Sequence, residues 1–467
     1  MPDLKQKVVN FLNGYLYPLC IAFFVLLGHI YSYENFCILL IGISVCAGFI
    51  LCKDLKFFIS PLLCFYFIFS KKSLTNEAFY STSSVVFYIL IIIAILISMG
   101  IHFILYRKEL KIKNFTSSSL FKGFIFLTIF FMLNGISSIQ NYNASNFIFG
   151  MLIVISFVLP FFLFSINLEI DKSTRDYLLY VLILTSLVIT TEFINLYVNE
   201  LTKWDNILHY KYYTDLGWGI SNNIGSILTM LMPVFFYCSG RTKYTLPFFL
   251  GGITTYICVI MTVSRTSILF STVILIFCIL YLCIHNHKHR REIRIYTLFL
   301  IIGTIFLAIF LKDKIQELLN RALQLGFSDS GRFEYYKDGM EKFFDHPLFG
   351  AGFGNSHGTN DRFVISAPEY FHNTVVQILA SCGVIGFGAY AYHRWQTVKL
   401  FWNTRNPYSF FTAMSILALL LTSLLDIHLF NIFPTIIYST MLCIFERYTL
   451  FREEKKKALL EAKAETK

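Results

Sequence analysis

Charged residues are scarce in this chain. Only 14% of its 467 residues are Asp, Glu, Lys or Arg, whereas 56% are hydrophobic and 51 are Phe. A water-soluble protein of this size could not bury so much apolar surface in its interior. A helical membrane protein with many spans can accommodate this composition, because lipid surrounds its outer face.

Three other patterns are missing. There is no ten-residue alternation of apolar and polar positions, which argues against an outer-membrane barrel. No small-residue cleavage site follows the first apolar run at 15–31, so we interpret that run as a span and not as a signal peptide. No CxxC occurs, and the 11 cysteines lie in or beside apolar segments, which is typical of small buried hydrophobic residues.

Long apolar runs make up most of the chain. They predict an all-α fold: a polytopic membrane helical bundle of about 12–14 transmembrane helices in one integral membrane domain spanning 1–467. The run at 57–70 is short and contains Pro61, so it is the weakest candidate. The runs fall at 15–31, 35–52, 57–70, 84–106, 120–137, 147–166, 177–198, 219–239, 245–263, 266–284, 295–311, 372–392, 408–425 and 429–446.

The distribution of positive charge predicts the orientation. The net charge of +11 comes mostly from Lys and Arg in the loops that follow even-numbered spans, so the positive-inside rule explains it without nucleic acid. Both termini and the charged tail at 447–467 are then cytoplasmic, and the long polar loop at 312–371 is extracytoplasmic. The cytoplasmic loops include Lys53, Lys56, Arg107, Lys108, Lys111, Lys113, Arg241, Lys243, Lys288, Arg290, Arg291, Arg294, Arg394, Lys399 and Arg405.

The large loop has helical periodicity of its own. Apolar residues recur on one face from Ile315 to Leu325 and again from Phe333 to Phe344, with charged residues opposite. Asp329 and Ser330 could cap the second helix. We expect short amphipathic helices that lie on the outer membrane surface.

Three polar residues at predicted span or helix ends need an explanation. Arg265 begins a span, and it either snorkels to the interface or binds an anion. Arg332 begins the second amphipathic helix, and it is either a solvated charge or a ligand for phosphate oxygens. His372 lies just before a span, and it is either a structural residue or a general base, with Asn373 orienting it or capping the span.

Other motifs favour structural readings. The glycine-rich stretch at 350–354 follows no strand and precedes no Lys-Ser/Thr, so it predicts a turn that allows close backbone approach and not a nucleotide site. Gly383 and Gly386 favour close helix packing. Three alternating histidines at 285–289 favour contact with anionic headgroups over metal binding.

These residues together resemble a known family. Ser264-Arg265-Thr266 opening a span is similar to a hallmark of the O-antigen ligase and O-antigen polymerase superfamily. The stretch from Gly331 to Tyr336, followed by 346–355, resembles the start of that family's large extracytoplasmic loop. His372-Asn373 resembles the end of that loop. The resemblance covers about 245–395.

The resemblance implies a membrane glycosyltransferase of cell-surface polysaccharide assembly in the bacterial plasma membrane. The donor would be a glycan on a polyprenyl diphosphate, and the acceptor a saccharide or lipid-saccharide hydroxyl. Arg265 and Arg332 would bind the diphosphate, His372 would be the general base, and Asn373 and Tyr336 would support them. The family implies an inverting reaction with neither metal nor cofactor.

Two choices stay open at the level of the sequence. A repeat-unit polymerase and a ligase are both consistent with the motifs, because the acceptor pocket has no recognisable signature. A lipid-linked oligosaccharide flippase or other transporter is the alternative from a different functional class. Against it, the chain lacks the paired halves with broken helices that many transporters have.

Overall fold

The computed structural model of the protein describes residues 2–71, 82–136, 142–199, 213–285, 288–310, 331–354 and 370–465, together with residues 312, 316 and 368. These residues form seventeen α-helices and no β-strand, which confirms the predicted all-α class. The helices are α1 Pro2–Leu12, α2 Leu16–Tyr31, α3 Glu34–Leu51, α4 Ile59–Cys64, α5 Thr82–Leu105, α6 Ile112–Thr116, α7 Phe121–Met132, α8 Ala144–Asn167, α9 Lys172–Asn199, α10 Ser221–Arg241, α11 Thr245–Met261, α12 Arg265–Ile284, α13 Arg290–Phe310, α14 Arg332–Asp345, α15 Thr374–Asn403, α16 Pro407–Thr422 and α17 Ile432–Glu465.

Each predicted apolar run coincides with helical structure. Within the described ranges, 8 helices are long and apolar enough to cross a membrane, or up to 9 if α1 and α2, bent by 66°, count as one span. Those eight are α3, α5, α8, α9, α10, α12, α13 and α15. The weak run at 57–70 folds as α4 between two 3-10 turns, Leu55–Phe58 and Phe65–Ile68, and not as one continuous helix. Together these helices form a polytopic membrane bundle.

The centre of the bundle is α10. Nearly all of its residues are buried, and it packs against α9, α11, α12 and α16. Small and hydroxyl side chains make this close packing possible: Gly225 meets Ser267 of α12, and Ser226 Oγ lies 2.7 Å from Thr422 Oγ1 of α16. By contrast, α5 and α13 expose most of their apolar side chains, as helices at a lipid-facing edge do.

The interhelical loops separate into two ends. At one end, Lys53 pairs with Glu109 at 3.0 Å, and Arg175 donates to Tyr448 Oη at 2.6 Å. At the other end, Thr374 N–H donates to the Ser423 carbonyl at 3.1 Å. Each of these contacts joins segments that the charge distribution predicts to lie on the same side of the membrane. Which end is cytoplasmic stays a prediction.

The described part of the large loop packs on the bundle. Helix α14 begins at Arg332, where the sequence predicts it, but its N-cap is Gly331 with φ 76° and no side-chain cap. Apart from residue 316, the predicted helix from Ile315 to Leu325 lies outside the described residues, as do the proposed caps Asp329 and Ser330.

The glycine-rich turn after α14 inserts into a break in α15. Gly383 of α15 has φ 66° and ψ −169°, so the helix is kinked there. The kink exposes backbone groups that the turn satisfies: Ala351 N–H donates to the Ala380 carbonyl at 2.7 Å, and Val384 N–H donates to the Pro347 carbonyl at 2.8 Å. The prediction of close backbone approach at 350–354 is therefore correct, and the turn holds the far end of the α15 segment that begins at Thr374.

Candidate functional site

His372 faces a carboxylate from a distant part of the chain. Its Nδ1 lies 3.3 Å from Oδ1 of Asp426, which follows α16. The His372 side chain is 38% exposed, whereas that of Asp426 is 9% exposed. The imidazole is thus accessible while its partner is buried. This is the arrangement in which a carboxylate orients a histidine.

Asp426 is held by several other groups. Asn222 Nδ2, in the first turn of α10, donates to Oδ2 at 3.0 Å, and the backbone N–H of Ile427 donates to Oδ1 at 2.9 Å. His428 Nε2 lies 3.8 Å from Oδ2 and is almost fully buried. The carboxylate therefore joins the start of α10 and the start of α15 to the segment between α16 and α17.

The environment keeps Asp426 ionised. Burial alone would raise the pKa of this carboxyl, but the hydrogen bond from His372, the neighbouring His428 and the N–H of Ile427 outweigh burial and lower it well below its usual range. Burial lowers the pKa of His428, with Asp426 opposing. An ionised Asp426 accepts a hydrogen bond from Nδ1–H of His372, so Nε2 is the nitrogen left with a lone pair.

Arg332 reaches the same carboxylate from the large loop. Its guanidinium Nη2 lies 4.0 Å from Asp426 Oδ2, and its side chain is 24% exposed. One turn later in α14, Tyr336 Oη donates to the backbone carbonyl of His372 at 3.3 Å. The ring of Tyr335 lies 5.4 Å from the imidazole of His372. Helix α14 therefore brings Arg332 and Tyr336 to His372.

Asn373 caps α15. Its Oδ1 accepts from the N–H groups of Val375 and Val376 at 2.8 and 3.1 Å, and its Nδ2 donates to the Leu424 carbonyl at 2.8 Å. Of the two roles weighed for this residue, capping is the one the contacts support. His372 just before it has φ 50°, a left-handed conformation that a non-glycine residue adopts at a cost of about 1–3 kcal/mol.

Arg265 is the first residue of α12, and its side chain is exposed. The same turn packs on α10, where a Cβ on Gly225 would lie 2.6 Å from Ser267 Oγ. Gly225 is one turn from Asn222, which donates a hydrogen bond to Asp426. Arg265 therefore begins its helix at the end of the bundle that contains His372 and Arg332. A shared ligand for the two guanidinium groups stays a prediction.

A groove of about 1240 Å³ opens beside this site. At one end its wall includes Thr374, Val375 and Leu424, which adjoin Asn373 and its hydrogen bond to Leu424. From there the groove follows one face of α16 towards Asn406, between α16 and the later half of α15. Along α16 its wall is mainly apolar, with Leu, Ile, Met and Phe side chains, whereas polar and charged residues line the end near Asn406.

Sequence reasoning missed Asp426, His428 and Asn222. The signal for the first two was available: both are ionisable residues in Leu425-Asp426-Ile427-His428, at the short link between two predicted spans on the same predicted side of the membrane as His372. Asn222 gave no comparable signal, because a polar residue at the start of a span is usual. Among the described residues no group of three His, Cys, Asp or Glu side chains is arranged to hold a metal ion.

Comparison with known protein families agrees with this picture. Residues 250–391 match the family model described as O-antigen ligase. The match includes Arg265, Arg332 and His372 and nearly coincides with the predicted 245–395, so the resemblance to the O-antigen ligase and polymerase superfamily is confirmed. It supports an enzymatic role of the ligase and polymerase type. No curated protein matches the chain.

Proposed function

We propose that this protein is an extracytoplasmic glycosyltransferase that moves a glycan from a polyprenyl diphosphate to an acceptor hydroxyl. The observation that carries the proposal is the meeting of His372 and Arg332 at the buried carboxylate of Asp426, at the end of the bundle where Arg265 also begins its helix. The proposed location is the outer face of the bacterial plasma membrane, with both termini in the cytoplasm.

His372 would be the general base. With Nδ1–H directed to Asp426, Nε2 takes the proton of the acceptor hydroxyl as its oxygen attacks the anomeric carbon. A new carbon–oxygen bond forms on one face of the sugar while the bond to the diphosphate oxygen breaks on the other. The electron pair leaves with the polyprenyl diphosphate, and the anomeric configuration inverts. Asp426 stabilises the imidazolium that results.

The arginines would stabilise the leaving group. Charge develops on the diphosphate as the glycosidic bond breaks, and a guanidinium offers two parallel N–H donors to phosphate oxygens. Arg332 is held near Asp426 at 4.0 Å, which is longer than a hydrogen bond, so its donors are available to an anion. Arg265 would contribute the second set of donors.

The groove beside the site suits the lipid part of the donor. It begins at Thr374, Val375 and Leu424, close to His372, and continues along apolar residues of α16. A polyprenyl chain can lie there while its diphosphate stays at the arginines. The acceptor decides between a repeat-unit polymerase and a ligase, and both remain within this proposal.

Reconstitution with purified components tests the function. Proteoliposomes that contain the protein would receive a lipid-linked glycan donor purified from the organism that encodes it. The acceptor would be either a second lipid-linked repeat or a lipid-saccharide core. We expect transfer to one of these acceptors by the wild type and at least 100-fold slower transfer by His372→Ala. Movement of the intact donor across the bilayer without transfer would instead identify a transporter.

A further inference from the structure

The groove continues beyond the region that a donor at the outer site requires. Its wall follows α16 from Leu424 to Asn406, and α16 has 16 residues, so the groove is about 24 Å long. A bilayer's hydrocarbon core is about 30 Å thick. The groove therefore spans most of a membrane, and its far end lies at the end of the bundle that we predict to be cytoplasmic.

The far end of the groove is positively charged. Arg241 at the end of α10, Lys288 before α13 and Arg405 between α15 and α16 all contribute to its wall. His285 and His289 lie beside them. None of the described residues that line the groove is Asp or Glu. Glu292 lies just outside the wall, with its carboxylate 3.1 Å from Nδ1 of His289. An apolar groove with a mainly basic mouth is complementary to a molecule with apolar chains and an anionic head.

A half-buried arginine adds to this positive charge. Arg394 of α15 lines the inner half of the groove, with its guanidinium carbon 4.7 Å from the ring centres of Tyr390 and Tyr438. Its three guanidinium nitrogens are buried, and the hydroxyl of Tyr438 is the described polar group that interacts with them. No described carboxylate pairs with it. A buried cation of this kind is costly, and a nearby anion reduces that cost.

We propose that the inner half of this groove binds an anionic phospholipid of the cytoplasmic leaflet. Its phosphate lies at the basic mouth formed by Arg241, Lys288 and Arg405, and its acyl chains lie along the apolar wall of α16. Basic pockets between spans on the cytoplasmic side commonly hold acidic lipid headgroups. The site is separate from the catalytic groups, because Arg405 and His372 lie beyond opposite ends of α15.

Lipid titration followed by native mass spectrometry tests the site. Purified, delipidated protein in detergent would receive phosphatidylglycerol or phosphatidylethanolamine. Arg241→Gln/Lys288→Gln/Arg405→Gln should weaken phosphatidylglycerol binding by on the order of 100-fold, at roughly five-fold per charge. The matched control is Arg107→Gln/Lys108→Gln/Lys113→Gln, which removes three exposed charges from the same end but away from the groove. This control should change the affinity for phosphatidylglycerol less than two-fold. Neither triple variant should change the binding of phosphatidylethanolamine.

Trp402 reports the position without altering the charges. Its side chain is 71% exposed and lines the groove. Phosphatidylglycerol with brominated acyl chains should quench the tryptophan fluorescence of the wild type. In Trp402→Phe the quenching should be weaker, because the contribution of Trp402 is missing. If the groove variant and the control variant lose affinity for phosphatidylglycerol to the same extent, the proposal is wrong. Fluorescence quenching that is the same in wild type and Trp402→Phe would also overturn it. Displacement of phosphatidylglycerol by polyprenyl diphosphate, dependent on the same three cations, would assign the mouth to the carrier instead.

Discussion

Asp426 and His372 are 54 positions apart in the chain, yet Oδ1 of one lies 3.3 Å from Nδ1 of the other. The contact is made by packing the start of α15 against the loop after α16: Thr374 N–H donates to the Ser423 carbonyl at 3.1 Å, and Asn373 Nδ2 donates to the Leu424 carbonyl at 2.8 Å. These two hydrogen bonds, one between backbone groups and one from a side chain to the backbone, hold the carboxylate opposite the imidazole.

The ionised state of Asp426 has a consequence for acid stability. Its pKa in the folded protein lies below the unfolded value of about 3.9, so its contribution to the free energy of unfolding is present above that value. The contribution is lost as pH falls through the lower, folded pKa. Thermal unfolding in detergent should therefore show Asp426→Asn destabilised at pH 5, with the difference from wild type shrinking as the pH falls below about 4. A difference that grows as the pH falls below about 4 would contradict this assignment.

Removal of the proposed base should affect turnover far more than folding. His372→Ala should lower turnover by about 10²–10⁴-fold with little loss of protein from the membrane, because proton transfer from the acceptor is lost. The control is His346→Ala, at the other end of α14 from Arg332. It should retain most of the activity. Equal rates for His372→Ala and wild type would leave His372 as a span-end residue.

The two arginines should not tolerate lysine. Arg265→Lys and Arg332→Lys each keep the charge but lose the paired N–H donors, so we expect 10²–10³-fold slower transfer for each. Membrane levels should match wild type. If the lysine variants are as active as wild type, the arginines do not form a bidentate clamp on the diphosphate. The family assignment would not be affected by that result.

Two glycines of α15 offer a matched test of the kink. A Cβ on Gly383 would collide with the backbone of Leu348, and its φ of 66° is unfavourable for any other residue, so Gly383→Ala should cost several kcal/mol and displace the turn. Gly388 has no atom within 4 Å of a Cβ, so Gly388→Ala should be neutral or stabilise by up to about 1 kcal/mol. The melting temperatures in detergent measure both. Equal melting temperatures for the two variants would mean that the kink does not depend on Gly383.

The sequence predicted the helices well because span formation depends on local hydrophobicity. Each apolar run coincides with helical structure, and Arg332 begins α14 as expected. The sequence predicted the candidate site less completely, because Asp426 contacts α10 and the start of α15, and no local sequence pattern encodes those contacts. The break of α15 at Gly383 was also not predicted: the glycines favoured close helix packing, whereas one of them admits a backbone turn from the large loop.

The most direct measurement is the stereochemistry and stoichiometry of a reconstituted transfer. Purified wild-type protein would act on a polyprenyl-diphosphate-linked glycan of known anomeric configuration, with the new linkage determined by NMR and the released lipid quantified. The account predicts an inverted linkage and one polyprenyl diphosphate released for each glycan transferred. A retained linkage, or release of the lipid as a monophosphate, would contradict it.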